Sequence, residues 1–141
     1  IENTERVVFI LGDNFFELNP LDGKNVLKTN NKVGSYIFTY EVENPSDFGV
    51  AILNDEGKVI SIEEKPEEPK SNKAIVGLYV YDNTVIEKIK RLTPSLRGEY
   101  EITDLNNLYI NEGLCESIDI NGWWIDAGTP ERIEELETKL I

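Results

Sequence analysis

Apolar and polar positions along the chain alternate in runs whose period changes from element to element. Arg6–Gly12, RVVFILG, is a continuous apolar stretch closed by a glycine, the pattern of a strand buried on both faces. Residues 19–32, NPLDGKNVLKTNNK, are polar, with Asn19 and Pro20 suited to opening a short helix that Gly23 and the Asn30–Asn31 pair weaken. Ser35–Val42, SYIFTYEV, is aromatic and β-branched and predicts a strand. FGVAIL and VISIEEKP flank the turn NDEGK, which predicts a β-hairpin. NKAIVGLYVYD predicts a further strand, after which Asp82 or Asn83 caps a helix carrying Val85, Ile86, Ile89 and Leu92 on one side. TPSLRG breaks that helix. Ile102, Leu105, Leu108 and Tyr109 then recur at helical spacing up to Gly113. LCESIDI alternates as a strand, GWWIDAG follows, and TPERIEELETKLI predicts a last helix with Thr129 as cap and Pro130 at its first position.

Strands interleaved with helices predict an α/β layered sandwich, and the hairpin makes its sheet mixed, mostly parallel, rather than purely parallel. A first strand buried on both faces needs neighbours on both sides. A parallel-sheet nucleotide fold ordinarily begins earlier, with its phosphate loop, so the architecture reads as truncated at the N-terminus. No internal repeat, linker or low-complexity segment interrupts the pattern.

Composition narrows the picture. At 141 residues, with 40% apolar and 29% charged positions, the chain suits one domain with a hydrophobic core. No apolar run approaches the roughly 20 residues that span a bilayer, and no signal pattern opens the sequence. The formal charge of -13 argues against nucleic acid, whose binding needs a basic face. The same charge repels small anions at long range, so a phosphate ligand would need a few well-placed cations and a divalent metal. Much of the acid also serves as a solvated surface. A single cysteine, Cys115, forms no intrachain disulfide and suits a reducing cytoplasm. The chain has no histidine, which removes the commonest general base and zinc ligand. It also has no methionine and starts at Ile1, which reads as the middle and end of something longer.

Asp13 follows the first apolar run, and Asp126 follows a second one, in WWIDAGTP. Ligands of open α/β sheets lie beyond strand ends. Two carboxylates there suit one Mg²⁺, which takes a couple of carboxylates along with phosphates and water. Taken singly, Asp13 is equally a turn residue and Asp126 a helix-entry cap. Glu64 and Lys65, in EEKP, offer an acceptor for sugar hydroxyls and a point charge for a phosphate, or a solvated pair ahead of Pro66. Arg97, before a predicted helix, suits a phosphate clamp, while Glu99 and Glu101 fit a helix start on charge grounds alone. Gly49 would let a backbone approach a sugar closely or mark a strand bend. Tyr79, Trp123 and Trp124 read first as core. Neither the Walker pattern nor the dinucleotide fingerprint occurs.

Taken together, LGDN, FGV, SIEEKPEEPKSN, GLYVYD, RGEYEITDLN and WIDAGTPE stand in an order and spacing that resemble the sugar-1-phosphate nucleotidylyltransferase family, most closely its glucose-1-phosphate thymidylyltransferase branch. The resemblance covers nearly the whole chain. It implies that Asp13 and Asp126 ligate a catalytic Mg²⁺, that Gly49, Glu64 and Lys65 contact the sugar phosphate, that Ile75 and Tyr79 line the sugar pocket, and that Arg97 binds the substrate phosphate. Asp13, Lys65 and Asp126 are thereby the catalytic candidates. The implied reaction is nucleotidyl transfer from a nucleoside triphosphate, dTTP favoured, to glucose 1-phosphate, releasing pyrophosphate, in a cytoplasmic protein with the family's tendency to homo-oligomers. The family's N-terminal glycine-rich loop has no counterpart here. Residues 1–141 are therefore expected to be the metal- and sugar-phosphate-binding portion of one nucleotidylyltransferase domain, inactive alone, with roughly 100 residues upstream by ordinary domain size. The alternative is a non-catalytic sugar-phosphate-binding or regulatory module that retains the family's second half.

Overall fold

The computed structural model describes residues 5–28, 32–93 and 102–141. In chain order they form β1 (Val7–Ile10), β2 (Asn14–Phe16), β3 (Ser35–Glu41), a single 3-10 turn at Pro45–Asp47, β4 (Gly49–Leu53), β5 (Val59–Glu64), β6 (Lys73–Tyr81), α1 (Val85–Lys90), α2 (Ile102–Asn111), β7 (Cys115–Asp119), β8 (Trp124–Asp126) and α3 (Pro130–Leu140). β6 organises the main sheet. β3 runs antiparallel along one edge of it, with Ser35 opposite Tyr81 and Glu41 opposite Lys73. Along the other edge β1 covers Leu78–Tyr81 and β4 meets Ala74. β5 pairs with β4 as the predicted hairpin, and β7 lies parallel to β3. A separate two-stranded ribbon joins β2 to β8.

The sheet is mixed, as expected, but "mostly parallel" needs correction. Among the described residues only β3 and β7 pair in parallel. Interleaved strands and helices suggested repeated crossovers. Instead β6 is inserted between β3 and β4, which run the same way, and β4 between β5 and β6, which also run the same way, so strands of like direction are kept apart and the neighbours there are antiparallel. The helical connection from β6 through α1 and α2 reverses the chain and sets β7 beside β3, whose direction it shares.

Two cores follow from the alternation of side chains across the sheet. Ile37, Tyr79, Tyr81 and Cys115 pack with Leu105, Tyr109 and Ile110 of α2 on one face. Tyr36, Phe38, Val76, Leu78 and Val80 pack with Val26 and Trp124 on the other. The Tyr81 hydroxyl, buried among aromatic neighbours, donates to Asn106 Oδ1 at 2.8 Å and so ties β6 to α2. Burial first, then nearby ionisable groups, pushes this phenol far above its usual range, so it acts as a donor throughout.

Three expectations change at the level of single elements. β1 is a strand, but it is not buried on both faces: Val8, Phe9 and Ile10 are 41%, 46% and 56% exposed, and β6 is its only partner among the described residues. An apolar run records a strand's tolerance for burial and not what covers it. Residues 20–23 form successive turns in place of a short helix, with Asn19 Oδ1 taking the Leu21 amide and Asn19 O the Asp22 amide. Gly23, at φ 67, is what lets the chain turn there. Thr84 occupies the N-cap of α1, where Asp82 or Asn83 was expected; Asp82 Oδ1 instead accepts from both the amide and the hydroxyl of Thr84. The α3 start is as expected: Thr129 accepts from the Arg132 amide, and Pro130 opens the helix.

Candidate active site

The chain leaves the main sheet at Leu11, whose amide donates to Gly77 O at 2.8 Å, and turns through Gly12 and Asp13 into β2. β2 and β8 pair so that Asn14 stands opposite Asp126. The Ala127 amide then donates to Asp13 O at 2.8 Å, closing the ribbon's end. Two acids 113 positions apart in sequence (126 − 13) are thus brought to one corner.

Asn14 fixes that corner. Its Oδ1 accepts from the Gly77 amide at 2.8 Å and from the Trp124 indole at 2.7 Å, while its Nδ2 donates to Asp13 Oδ1 at 3.0 Å. Two donors on Oδ1 define which way the amide faces. A side chain at 77 would collide with Asn14, since a Cβ there would lie 2.6 Å from Nδ2. Gly128 does the same for the acids: a Cβ there would lie 3.0 Å from Asp126 Oδ1 and 3.5 Å from Asp13 Oδ2. Both carboxylates therefore face the bare glycine from the same side. Two hard oxygen donors converging on a gap that no side chain fills fit a small divalent cation such as Mg²⁺, whose other positions go to water and phosphate oxygens. No group of three or more acidic, cysteine or histidine ligands exists among the described residues, so the pair would serve a metal shared with a ligand.

Beside the corner lies a cavity of about 350 Å³. Gly49 and Glu64 face each other there across the β4–β5 pair, with Glu64 Oε2 only 2.9 Å from where a Gly49 Cβ would stand. Ile75 and Tyr79 form the β6 wall, Asn106 of α2 another, and Asp126, Thr129 and Arg132 the side nearest α3. Burial, and second the Glu64 carboxylate, push the Tyr79 phenol up to about 12, so it stays a neutral hydroxyl at the cavity wall. Lys65 ends the hairpin with φ 43, a left-handed conformation costly for any residue but glycine. Its amide donates to Phe48 O at 3.0 Å, which holds that backbone in place. Its ammonium forms no ion pair among the described residues.

The cavity and its corner bring together Asp13, Gly49, Glu64, Lys65, Ile75, Tyr79 and Asp126. Arg97 lies outside the described residues. Sequence reasoning missed Asn14 and Arg132. Arg132 donates from Nη1 to Asp126 Oδ2 at 3.1 Å and lies over the Phe48 ring, 4.7 Å from its centroid. A signal existed for it: a cation in the first turn of a helix opposes the helix dipole and calls for a local reason.

The family model for nucleotidyl transferases matches residues 1–141. The chain belongs to the nucleotidyl transferase family. It is similar to the glucose-1-phosphate thymidylyltransferase of Neisseria meningitidis, with 42% identity over 93% of this chain and 46% of that protein. For the enzyme of the same name from Mycobacterium tuberculosis the figures are 46% identity, 89% and 44%. A solved structure of a glucose-1-phosphate thymidylyltransferase from Bacillus anthracis in complex with a sucrose superposes with a TM-score of 0.83 at 43% identity, over 96% of this chain and 55% of that one. A UDP-glucose pyrophosphorylase complexed with UDP-glucose shares the fold, with a TM-score of 0.77 at 24% identity. This nucleotidyl transferase chain spans about half the length of the curated relatives it matches.

Proposed function

We propose that the chain supplies the sugar-phosphate and divalent-metal half of a site that transfers a nucleotidyl group from dTTP to glucose 1-phosphate, releasing pyrophosphate. The observation that carries this reading is the convergence of Asp13 and Asp126 over Gly128 beside a cavity lined by Glu64, Lys65 and Tyr79. The names of the relatives support the choice of thymidine nucleotide and glucose.

Glu64 accepts from sugar hydroxyls, Lys65 meets the phosphate, and Ile75 with Tyr79 covers the apolar side of the ring. The neutral Tyr79 hydroxyl adds a donor that no pH near neutrality removes. Asp13 and Asp126 hold the cation, which supplies charge neutralisation at the phosphates when bound. The sugar 1-phosphate oxygen is already an anion, so its attack on the α-phosphorus needs no histidine base, and positioning with charge compensation does the rest. Arg97, carried by the family resemblance, is proposed as a further phosphate contact. The paired carboxylates weigh against the non-catalytic alternative, because a module that only bound a sugar phosphate would be served by cations alone.

Glucose 1-phosphate binding to the folded chain, followed by NMR in the presence of Mg²⁺, tests the half-site; a folded wild-type chain that binds none overturns it. In the full gene product Asp126→Asn should lower pyrophosphate release from dTTP by about a hundredfold or more with the fold intact. Unchanged turnover removes the metal assignment, and faster release from UTP than from dTTP removes the nucleotide.

A further inference from the structure

Arg132 sits where three environments meet. The first turn of α3 favours negative charge, a preference Glu131 already meets. The guanidinium is held between the Asp126 carboxylate and the Phe48 ring. It also borders the cavity that holds Lys65 and Tyr79. Asp126 is divided between two partners: Oδ1 takes the Gly128 amide at 3.0 Å and lies, like Asp13 Oδ2, beside the position a Gly128 side chain would fill, while Oδ2 takes Arg132. A cation between Asp13 and Asp126 draws on the same carboxylate charge that Arg132 neutralises, so the two compete. The pair is not locked away, with side chains 25% and 29% exposed, and Phe48 supports the guanidinium from a face that does not depend on Asp126.

We infer that Arg132 is an exchangeable counter-ion: it neutralises Asp126 while the divalent cation is away, and turns to the sugar phosphate once the cation takes Asp126. This rests on the assignment of Asp13 and Asp126 as metal ligands. The exchange keeps the corner near electrical balance in both states, which matters in a chain with a formal charge of -13. A guanidinium suits both partners, since its fork matches carboxylate and phosphate alike. Arg132 is thus a binding residue for the phosphate and a competitor of the metal.

The exchange makes one substitution act in opposite directions. In Arg132→Gln, Mn²⁺ affinity, read from water-proton relaxation, should rise about two- to fivefold, the range of a partly exposed ion pair. Glucose 1-phosphate affinity at saturating Mn²⁺ should fall about fivefold or more in the same variant. A merely structural Arg132 would weaken both or change neither, and either result overturns the inference. Asp126→Asn separates the two levels. If it loses Mn²⁺ while Arg132→Gln binds the ion no tighter than wild type, the metal site stands and the exchange falls. If wild type and Asp126→Asn bind Mn²⁺ alike, both fall. A variant-free check is the Arg132 Nε–H resonance of the wild-type chain, which should shift on adding Mg²⁺ and again on adding glucose 1-phosphate. A resonance unmoved by Mg²⁺ overturns the exchange whether or not the variants fold.

Discussion

Lys65 carries backbone strain at a position outside both core clusters. Its φ of 43 falls in the left-handed region, which costs a side-chain-bearing residue about 1 kcal/mol or more. Strain of this kind persists where a side chain must be aimed, and Lys65 borders the cavity at the mouth of the β4–β5 hairpin. Stability and function should therefore separate at this position. Lys65→Gly relieves the backbone, and the entropy of the added glycine offsets about half of that gain. Thermal unfolding of Lys65→Gly should match wild type or occur slightly higher, while glucose 1-phosphate binding weakens about tenfold or more through loss of a charge-assisted contact. A variant that unfolds well below wild type would show that Lys65 is held by packing and that its conformation carries no cost.

Where the β2–β8 ribbon brings Asp13 to Asp126, each strand is three residues long and the paired residues lie between 108 (124 − 16) and 112 (126 − 14) positions apart. That is why the site was only partly legible in the sequence. The hairpin, β6, α2 and the capped α3 are local patterns whose signals sit inside the element itself. The ribbon, by contrast, is defined by a distant pairing, and Asn14, its pivot, has no periodicity to mark it. Asp13 and Asp126 could each be picked out as acids after apolar runs, but their meeting could not be derived from either run. The covering of β1 was illegible for the same reason. The end of β7 shows a further distant tie. Asp119 accepts from the Thr39 hydroxyl at 2.6 Å and from Lys73 at 2.9 Å, joining β7, β3 and β6. Burial alone would raise this carboxyl, but the Thr39 hydrogen bond and the Lys73 charge hold it below its usual value. A depressed folded-state value means the contribution is present above the unfolded value of about 3.9 and disappears as pH falls through the folded one. Asp119→Asn should thus cost about 0.5–1 kcal/mol at neutral pH, a figure kept low by the carboxylate's exposure. The gap between variant and wild type in denaturant unfolding should begin to narrow as pH falls below about 4 and close once pH lies below the folded-state value. A gap that persists there would assign the contact to the neutral hydrogen bond.

Charge and apolar exposure oppose each other over the whole molecule. A formal charge of -13 keeps copies apart, while β1 presents Val8 and Ile10 from one face of a strand whose only described partner is β6. An apolar strand that exposes both side chains and backbone groups is a template for association. The two effects differ in range. Repulsion between exposed charges fades beyond about 8 Å at physiological ionic strength, whereas burial of apolar side chains acts at contact and is not screened. Self-association of this 141-residue chain should therefore grow with salt, seen as a rising weight-average mass in sedimentation. Val8→Lys and Ile10→Lys should suppress that rise at little cost in stability, since both positions are open to solvent. Mass that falls with added salt would place the contact between charged surfaces, and a rise that survives both lysines would move it away from β1.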